Sequence, residues 1–140
     1  MEYKLITLDE KVAFGKSFEF PTSEIQTYDY SKLYGEVCKG MNPTVSYGIY
    51  QVGEQTTKFT VAIETEVEND YTKVTLPAGD YYEFELDMME NMKENEYVKC
   101  FDALTANGIS FDMDYSYEVM DRSFNPMTGN FKFKYYIKAL

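Results

Sequence analysis

Apolar and polar residues alternate along four segments of the chain, which is typical of β-strands with one buried face. The segments span residues 45–49, 59–63, 116–120 and 133–137. The residues predicted on the face covered by helices are Val45, Tyr47, Ile49, Phe59, Val61, Ile63, Tyr117, Val119, Phe133, Tyr135 and Ile137. Those predicted on the opposite face are Ser46, Gly48, Tyr50, Ala62, Ser116, Glu118, Met120 and Tyr136.

Two other segments repeat apolar residues at intervals of three and four, which predicts two amphipathic helices. The predicted stripes are Tyr30, Leu33, Tyr34, Val37 and Cys38 in the first helix, and Tyr97, Cys100, Phe101 and Leu104 in the second. Ser23 and Gln26 have the spacing of a capping box ahead of the first helix. Asn107 followed by Gly108 is typical of a helix C-terminus and predicts the end of the second helix.

The two halves of the chain resemble each other in sequence order. Residues 3–8 correspond to 71–76, residues 46–51 to 116–121, and residues 58–63 to 132–137. The three offsets lie close to half the length of the chain, which is the mark of an internal repeat. We therefore predict one α+β domain over residues 1–140, built from a β-α-β-β unit duplicated over about 1–68 and 71–140. The two units would share one antiparallel sheet with both helices on one face.

Charge and composition narrow the possible functions. The net charge of −11 repels nucleic-acid phosphates and anionic lipid surfaces, so we expect no direct nucleic-acid binding and no membrane binding. The chain contains no apolar run of membrane-spanning length and no signal-peptide pattern, and this predicts a cytoplasmic protein with Cys38 and Cys100 as free thiols. The absence of histidine excludes catalytic systems and metal centres that depend on it. We expect no metal and no cofactor.

The predicted uncovered face combines small, aromatic and acidic side chains, and two interpretations are open. It is either a half-solvated sheet surface rich in tyrosine, or the lining of a pocket for an amphipathic organic molecule. In the second interpretation the aromatic rings offer π faces and a carboxylate offers a counter-charge.

Particular residues of the second half resemble the GyrI-like small-molecule-binding family, the effector-binding domain type of bacterial AraC and MerR regulators. They are Leu76-Pro77-Ala78-Gly79-Asp80-Tyr81 at its start and Tyr117-Glu118-Val119 in its hairpin, within the doubled β-α-β-β plan. The resemblance implies a pocket on a pseudo-twofold axis between the halves, where many members bind lipophilic, often cationic, aromatic compounds. It also implies that Glu118 is the pocket glutamate. Met120 stands where the family often has tyrosine, and the chain has no tryptophan.

From this resemblance we predict a stand-alone effector-binding or multidrug-binding protein that holds a cationic aromatic compound against Glu118. The predicted aromatic walls are Tyr50, Tyr81 and Tyr136, with Met120 as an adaptable contact and Glu83 as a second carboxylate. In an alternative, Glu118 is the general base of a hydrolase that acts on strained electrophilic molecules. A further alternative is an inhibitor-type domain that binds a protein partner such as gyrase. A monomer and a homodimer are both compatible with the sequence.

Overall fold

A computed structural model describes residues 1–38, 45–64, 71–121 and 126–140. The strands are β1 (Lys4–Leu8), β2 (Lys11–Pro21), β3 (Ser46–Val52), β4 (Thr56–Ile63), β5 (Thr72–Leu76), β6 (Gly79–Asp87), β7 (Phe111–Met120) and β8 (Lys132–Ala139). The helices are α1 (Tyr30–Cys38), the short α2 (Met88–Lys93) and α3 (Glu96–Ala106). The chain thus has the predicted α+β class.

All eight strands form one antiparallel sheet in the order β1-β6-β8-β7-β3-β4-β2-β5. Strands β3 and β7 pair at its centre, where Gly48 lies opposite Glu118 and Tyr50 lies opposite Ser116. Paired residues in an antiparallel ladder point to the same face of the sheet. The register therefore directs the Glu118 side chain over the backbone of Gly48.

The main core lies between the helices and one face of this sheet, which we call the inner face. Helix α1 contributes Leu33 and Val37 to the core, and helix α3 contributes Cys100 and Leu104. The sheet residues buried against them are Phe20, Tyr50, Phe59, Val61, Ile63, Phe84, Leu86, Phe133, Tyr135 and Ile137. The predicted helical stripes and the position of both helices on one face are confirmed.

A second cluster of buried residues lies on the other face of the sheet, which we call the outer face. Its members are Ala13, Tyr47, Ile49, Ala62, Leu76, Tyr81 and Tyr117. Both faces of the central strands are therefore buried, and residues 46 to 50 of β3 all belong to the buried part of the chain.

The predicted faces are correct for β4 and β8 but wrong for β3 and β7. Val45, Tyr47, Ile49, Tyr117 and Val119 lie on the outer face, whereas we predicted them under the helices. Ser46, Gly48, Tyr50, Ser116, Glu118 and Met120 lie on the inner face instead. The physical reason is that alternation identifies the buried face only where the other face is solvated, and here it is not.

Two copies of the predicted β-α-β-β unit would supply six strands, whereas the sheet has eight. The predicted unit therefore lacks one strand in each half of the chain. Residues 77–78 connect β5 to β6, and Gly79, the first residue of β6, adopts a φ of +146°. The short strands β1 and β5 then pair across the chain, with β6 and β2 respectively. The internal duplication stays a prediction.

The helix ends agree with the sequence in one case and not in the other. Gly108, with a φ of +68°, follows α3 as predicted. The predicted capping box is wrong, because Ser23 lies in a single 3-10 turn over Thr22–Glu24 with no side-chain cap. Instead, the backbone N–H of Lys32, in the first turn of α1, donates a hydrogen bond to Asp29 Oδ1 at 3.3 Å.

Two expectations about the cysteines and the membrane can be compared with the described residues. Cys38 and Cys100 are both free thiols, as predicted. No helix in the described ranges has the length and apolar character needed to cross a membrane.

Candidate functional site

A buried carboxylate stands at the centre of the inner face. Glu118 of β7 is only 2% exposed, and its oxygens accept hydrogen bonds from three tyrosine hydroxyls. Tyr34 donates to Oε1 at 2.9 Å, Tyr50 approaches the same oxygen at 3.5 Å, and Tyr97 donates to Oε2 at 2.5 Å. One side chain thus links helix α1, strand β3 and helix α3.

Gly48 makes room for this arrangement. A Cβ atom built at Gly48 would lie 2.2 Å from the Tyr34 hydroxyl and 2.6 Å from Glu118 Oε1. These distances are shorter than any van der Waals contact, so a side chain at this position would displace the carboxylate or the tyrosine.

The local sequence explains how the tyrosines reach Glu118. In α1, Tyr30 and Tyr34 are four residues apart and therefore lie on the same side of the helix, toward the sheet. In α3, the side chain of Asn95 accepts hydrogen bonds from the backbone N–H groups of Tyr97 and Val98. This cap fixes the first turn of the helix, and with it the position of Tyr97.

Aromatic rings surround the carboxylate. Tyr50 lies 4.7 Å from Phe59 and 5.9 Å from Tyr97, measured between ring centroids. Tyr30 packs against Phe59 at 4.9 Å, and Tyr97 packs against Tyr135 at 4.8 Å. The charge of Glu118 is therefore enclosed by apolar ring surface, with polar contact through hydroxyl groups.

Burial governs the ionisation of this site. The loss of hydration raises the pKa of Glu118 above its ordinary value of 4.5, while the hydrogen bonds from Tyr97, Tyr34 and Tyr50 act in the opposite direction. Burial and the nearby carboxylate raise the pKa of all three tyrosines. No lysine or arginine of the described residues forms an ion pair with Glu118. A positive group at this position would remove the cost of burying the charge.

The structure divides the predicted site residues between the two faces of the sheet. Tyr50 lies beside Glu118, and Met120 packs against the same inner-face core. Tyr81, Tyr136 and Glu83 lie on the outer face, so the six residues do not lie together on one face of the sheet. This separation follows from the incorrectly predicted faces of β3 and β7, since the predicted face of Tyr136 in β8 is correct.

Glu83 has its own partners on the outer face. Its carboxylate accepts a hydrogen bond from Tyr136 at 2.9 Å and lies 3.4 Å from the Lys4 ammonium and 3.8 Å from that of Lys134. Tyr81 donates to the carbonyl of Pro77 at 2.7 Å. Unlike Glu118, Glu83 is already compensated by cations.

Sequence reasoning missed the helical half of the site. The helical pattern predicts only that Tyr34 and Tyr97 pack toward the sheet, and it indicates no partner for their hydroxyl groups. A tyrosine that faces a core needs a hydrogen-bond partner for its hydroxyl. Two helices that each place such a tyrosine toward a strand carrying a glutamate could have indicated the contact.

Comparison with known proteins shows the fold of this chain. No protein-family model and no curated protein matches the sequence. An integron cassette protein from the mobile metagenome of Vibrio cholerae matches with a TM-score of 0.73 and 11% identity, over 99% of this chain and 95% of that protein. SAV2435, in a structure bound to tetraphenylphosphonium, matches with a TM-score of 0.73 and 12% identity, over 100% of this chain and 94% of that one.

The C-terminal domain of EcmrR also matches, with a TM-score of 0.60 and 14% identity, over 99% of this chain and 96% of that domain. These likenesses extend along nearly the whole chain. The chain shares the fold of these three proteins, in agreement with the fold that its resemblance to GyrI-like domains implied.

Proposed function

We propose that this protein binds a lipophilic organic cation with aromatic groups, and that Glu118 is the counter-charge. The observation that carries the proposal is a carboxylate buried among aromatic rings without an ion pair from the described lysines and arginines. Such a group is costly to keep ionised, and a cation that enters the site relieves this cost. The site thus favours ligands that combine positive charge with apolar surface.

The surrounding side chains suit the apolar part of such a ligand. The rings of Tyr30, Tyr50 and Tyr97 pack against one another close to the carboxylate, and aromatic rings attract cations through their quadrupoles. Met120 is half-buried on the same face and adapts its shape easily. We assign the ligand-binding role to Glu118, Tyr50 and Met120, together with Tyr34 and Tyr97.

Ligand entry requires a local rearrangement. Two cavities lined by described residues lie on the outer face, and Glu118 is enclosed. A ligand that reaches the carboxylate must displace some of the side chains that enclose it, because Glu118 is almost fully buried and Tyr34 and Tyr97 donate hydrogen bonds to its two oxygens. Tyr34 and Tyr97 belong to helices, so we expect α1 or α3 to shift when the ligand binds.

The fold gives independent support to this class of ligand. The structure of SAV2435, which shares the fold at 12% identity, contains tetraphenylphosphonium, a lipophilic aromatic cation. The same compound is therefore a suitable first probe for this chain. We also propose that the protein acts in the cytoplasm and does not contact nucleic acid directly. Its net charge of −11 supports the absence of nucleic-acid contact, because it repels phosphate groups.

The proposal is tested by measuring tetraphenylphosphonium affinity in the wild type and in Glu118→Gln. The substitution keeps the shape of the side chain and removes its charge, so the affinity should fall by about 1–3 kcal/mol. Triphenylphosphine oxide, a neutral compound of related shape, should lose much less. Equal affinity of wild type and variant for the cation would refute the assignment of Glu118.

Glu83→Gln is the matched control for this experiment. It removes a carboxylate that is also largely buried, but on the outer face and already paired with lysines. We expect it to leave the affinity for tetraphenylphosphonium unchanged. A loss as large as that of Glu118→Gln would indicate an effect of overall charge and not of the inner-face site.

The raised pKa of Glu118 also favours a second function, because a general base requires a pKa closer to neutral pH. In this alternative Glu118 takes a proton from water that attacks a strained electrophile such as an epoxide, and a tyrosine hydroxyl protonates the oxygen released. Glu118→Gln should then leave binding of styrene oxide nearly intact and lower its hydrolysis by roughly a hundredfold. Absence of hydrolysis by the wild type would leave the binding function as the better account.

A further inference from the structure

Two tyrosines that correspond in the sequence repeat each contact the C-terminal end of a helix. Tyr71, directly before β5, donates from its hydroxyl to the backbone carbonyl of Val37 in the last turn of α1. Tyr3, directly before β1, accepts a hydrogen bond at 2.8 Å from the side-chain amide of Asn107, which ends α3. Strands β1 and β5 form the two edges of the sheet. The start of each edge strand thus holds a helix from the other half of the chain.

The contact of Tyr71 lies close to the part of α1 that reaches the buried carboxylate. Val37 follows Tyr34 by three residues, so the two lie on the same side of α1, about one turn apart. Tyr34 donates a hydrogen bond to Glu118 Oε1 at 2.9 Å. The Tyr71 hydroxyl therefore restrains the turn of α1 that places Tyr34 over Glu118.

The contact of Tyr3 lies far from the carboxylate, at the opposite end of α3 from Tyr97. Asn107 follows Tyr97 by ten residues, which is about 15 Å along a helix. Other contacts hold Tyr97 in place: the Asn95 side chain caps its backbone N–H at 3.0 Å, and its ring lies 4.8 Å from that of Tyr135. Loss of the Tyr3 contact should therefore leave Tyr97 in its position.

The first turn of α1 is held separately from the last turn. The ring of Tyr30 lies 4.9 Å from that of Phe59, and its hydroxyl donates to the carbonyl of Ile25. Val37 is fully buried, and its carbonyl is one of the last four of the helix, which have no partner within the helix itself. The Tyr71 hydroxyl supplies that partner. Loss of this hydrogen bond would loosen the last turn of α1 while Tyr30 holds the first.

We propose that Tyr71 is a positioning residue for the Glu118 site, because its hydroxyl holds Tyr34 over the carboxylate through α1. This inference rests on the proposed function, in which a cation reaches Glu118. When the last turn of α1 moves away from the sheet, Val37 leaves the hydroxyl of Tyr71 and Tyr34 leaves the carboxylate. The hydrogen bond thus favours the closed form. Since only the open form admits a ligand, the bond lowers the apparent affinity.

Tyr71→Phe tests this role, because it keeps the ring and removes the hydroxyl. The melting temperature should fall by a few degrees, since the Val37 carbonyl loses its partner. The open form should become about threefold to tenfold more populated, so the association rate constant and the affinity for tetraphenylphosphonium should both rise by this factor. The dissociation rate constant should stay the same. Stopped-flow tyrosine fluorescence and calorimetry measure these quantities.

The affinity distinguishes a positioning role from a purely structural one. A hydroxyl that only stabilised the fold would lower the melting temperature on removal without raising the affinity. An affinity of Tyr71→Phe equal to or below that of the wild type would therefore overturn the proposal.

Tyr3→Phe and Tyr47→Phe are the matched controls. The first removes the equivalent hydroxyl at the end of α3, and the second removes a hydroxyl that donates to Glu64 at 2.7 Å on the outer face. Both should leave the affinity for tetraphenylphosphonium close to that of the wild type. If either control raised the affinity as much as Tyr71→Phe, the effect would come from general loosening of the fold, and the proposal would be wrong.

A measurement without ligand separates this inference from the proposed function. The chain has two cysteines, the half-buried Cys38 beside Val37 in α1 and the buried Cys100 in α3. In Tyr71→Phe, a thiol reagent should modify Cys38 about threefold to tenfold faster than in the wild type, because the last turn of α1 opens more often. The modification of Cys100 should change much less, and peptide mass spectrometry distinguishes the two thiols.

The two proposals then fail in different ways. Unchanged modification of Cys38 would overturn the positioning role of Tyr71, whichever ligand binds. Faster modification of Cys38, with no binding of tetraphenylphosphonium by either protein, would support that role and refute the proposed ligand.

Discussion

Gly48 and Glu118 show how one residue without a side chain lets another be buried. The carboxylate occupies the volume that a Cβ atom of Gly48 would fill, and Tyr34 closes over it. We therefore predict that Gly48→Ala destabilises the protein by about 1–3 kcal/mol, since it overpacks a closed site. It should also weaken tetraphenylphosphonium binding, because it moves Glu118. Urea unfolding and ligand titration measure the two effects.

Gly35 provides a matched control for this prediction. It lies in α1, where an added Cβ atom meets nothing within 4 Å, so Gly35→Ala should stabilise the helix by up to about 1 kcal/mol. If both alanine variants were equally stable, the close contact between Gly48 and Glu118 would be wrong.

At the level of single elements, the position of Tyr97 depends on the start of α3. The Asn95 side chain accepts from the backbone N–H groups of Tyr97 and Val98, at 3.0 and 3.3 Å. We predict that Asn95→Ala lowers the free energy of unfolding by about 0.5–2 kcal/mol, the usual loss for a helix cap. Asn95→Asp retains an acceptor and should lose much less. The measurements are thermal and urea unfolding. If the cap contributed nothing to stability, Asn95→Ala and Asn95→Asp would have the same free energy of unfolding.

The elements also show what the sequence can and cannot predict. The stripes of α1 and α3 and the apolar face of β4 were predictable, because Phe59, Val61 and Ile63 alternate with more polar neighbours. The faces of β3 and β7 were not, because both sides of these strands are buried and the polar residues point into the inner core. Glu118 was found through the family resemblance, whereas its partners Tyr34 and Tyr97 are set by tertiary packing alone.

For the whole molecule, strand order and register bear on the predicted duplication. Gly48 and Glu118, which correspond in the sequence repeat, are also directly paired between β3 and β7. A twofold axis that relates the halves would pass between these two residues. We predict that residues 4–63 superpose on 72–139 as two β-β-α-β-β units about this axis. An experimental structure tests this, and halves with different strand connections on superposition would disprove the duplication.

The most direct test of the central claim is the pH dependence of tetraphenylphosphonium affinity in the wild type and in Glu118→Gln. Burial raises the pKa of Glu118 above 4.5, so the free protein holds this proton above the pH at which an exposed glutamate releases it. The cation binds the ionised form. The affinity of the wild type should therefore rise as the pH increases toward the raised pKa, by at most about tenfold per pH unit, and then level off above it. The variant should bind weakly with no such rise, whereas parallel pH profiles for the two proteins would contradict the role of Glu118 as the counter-charge.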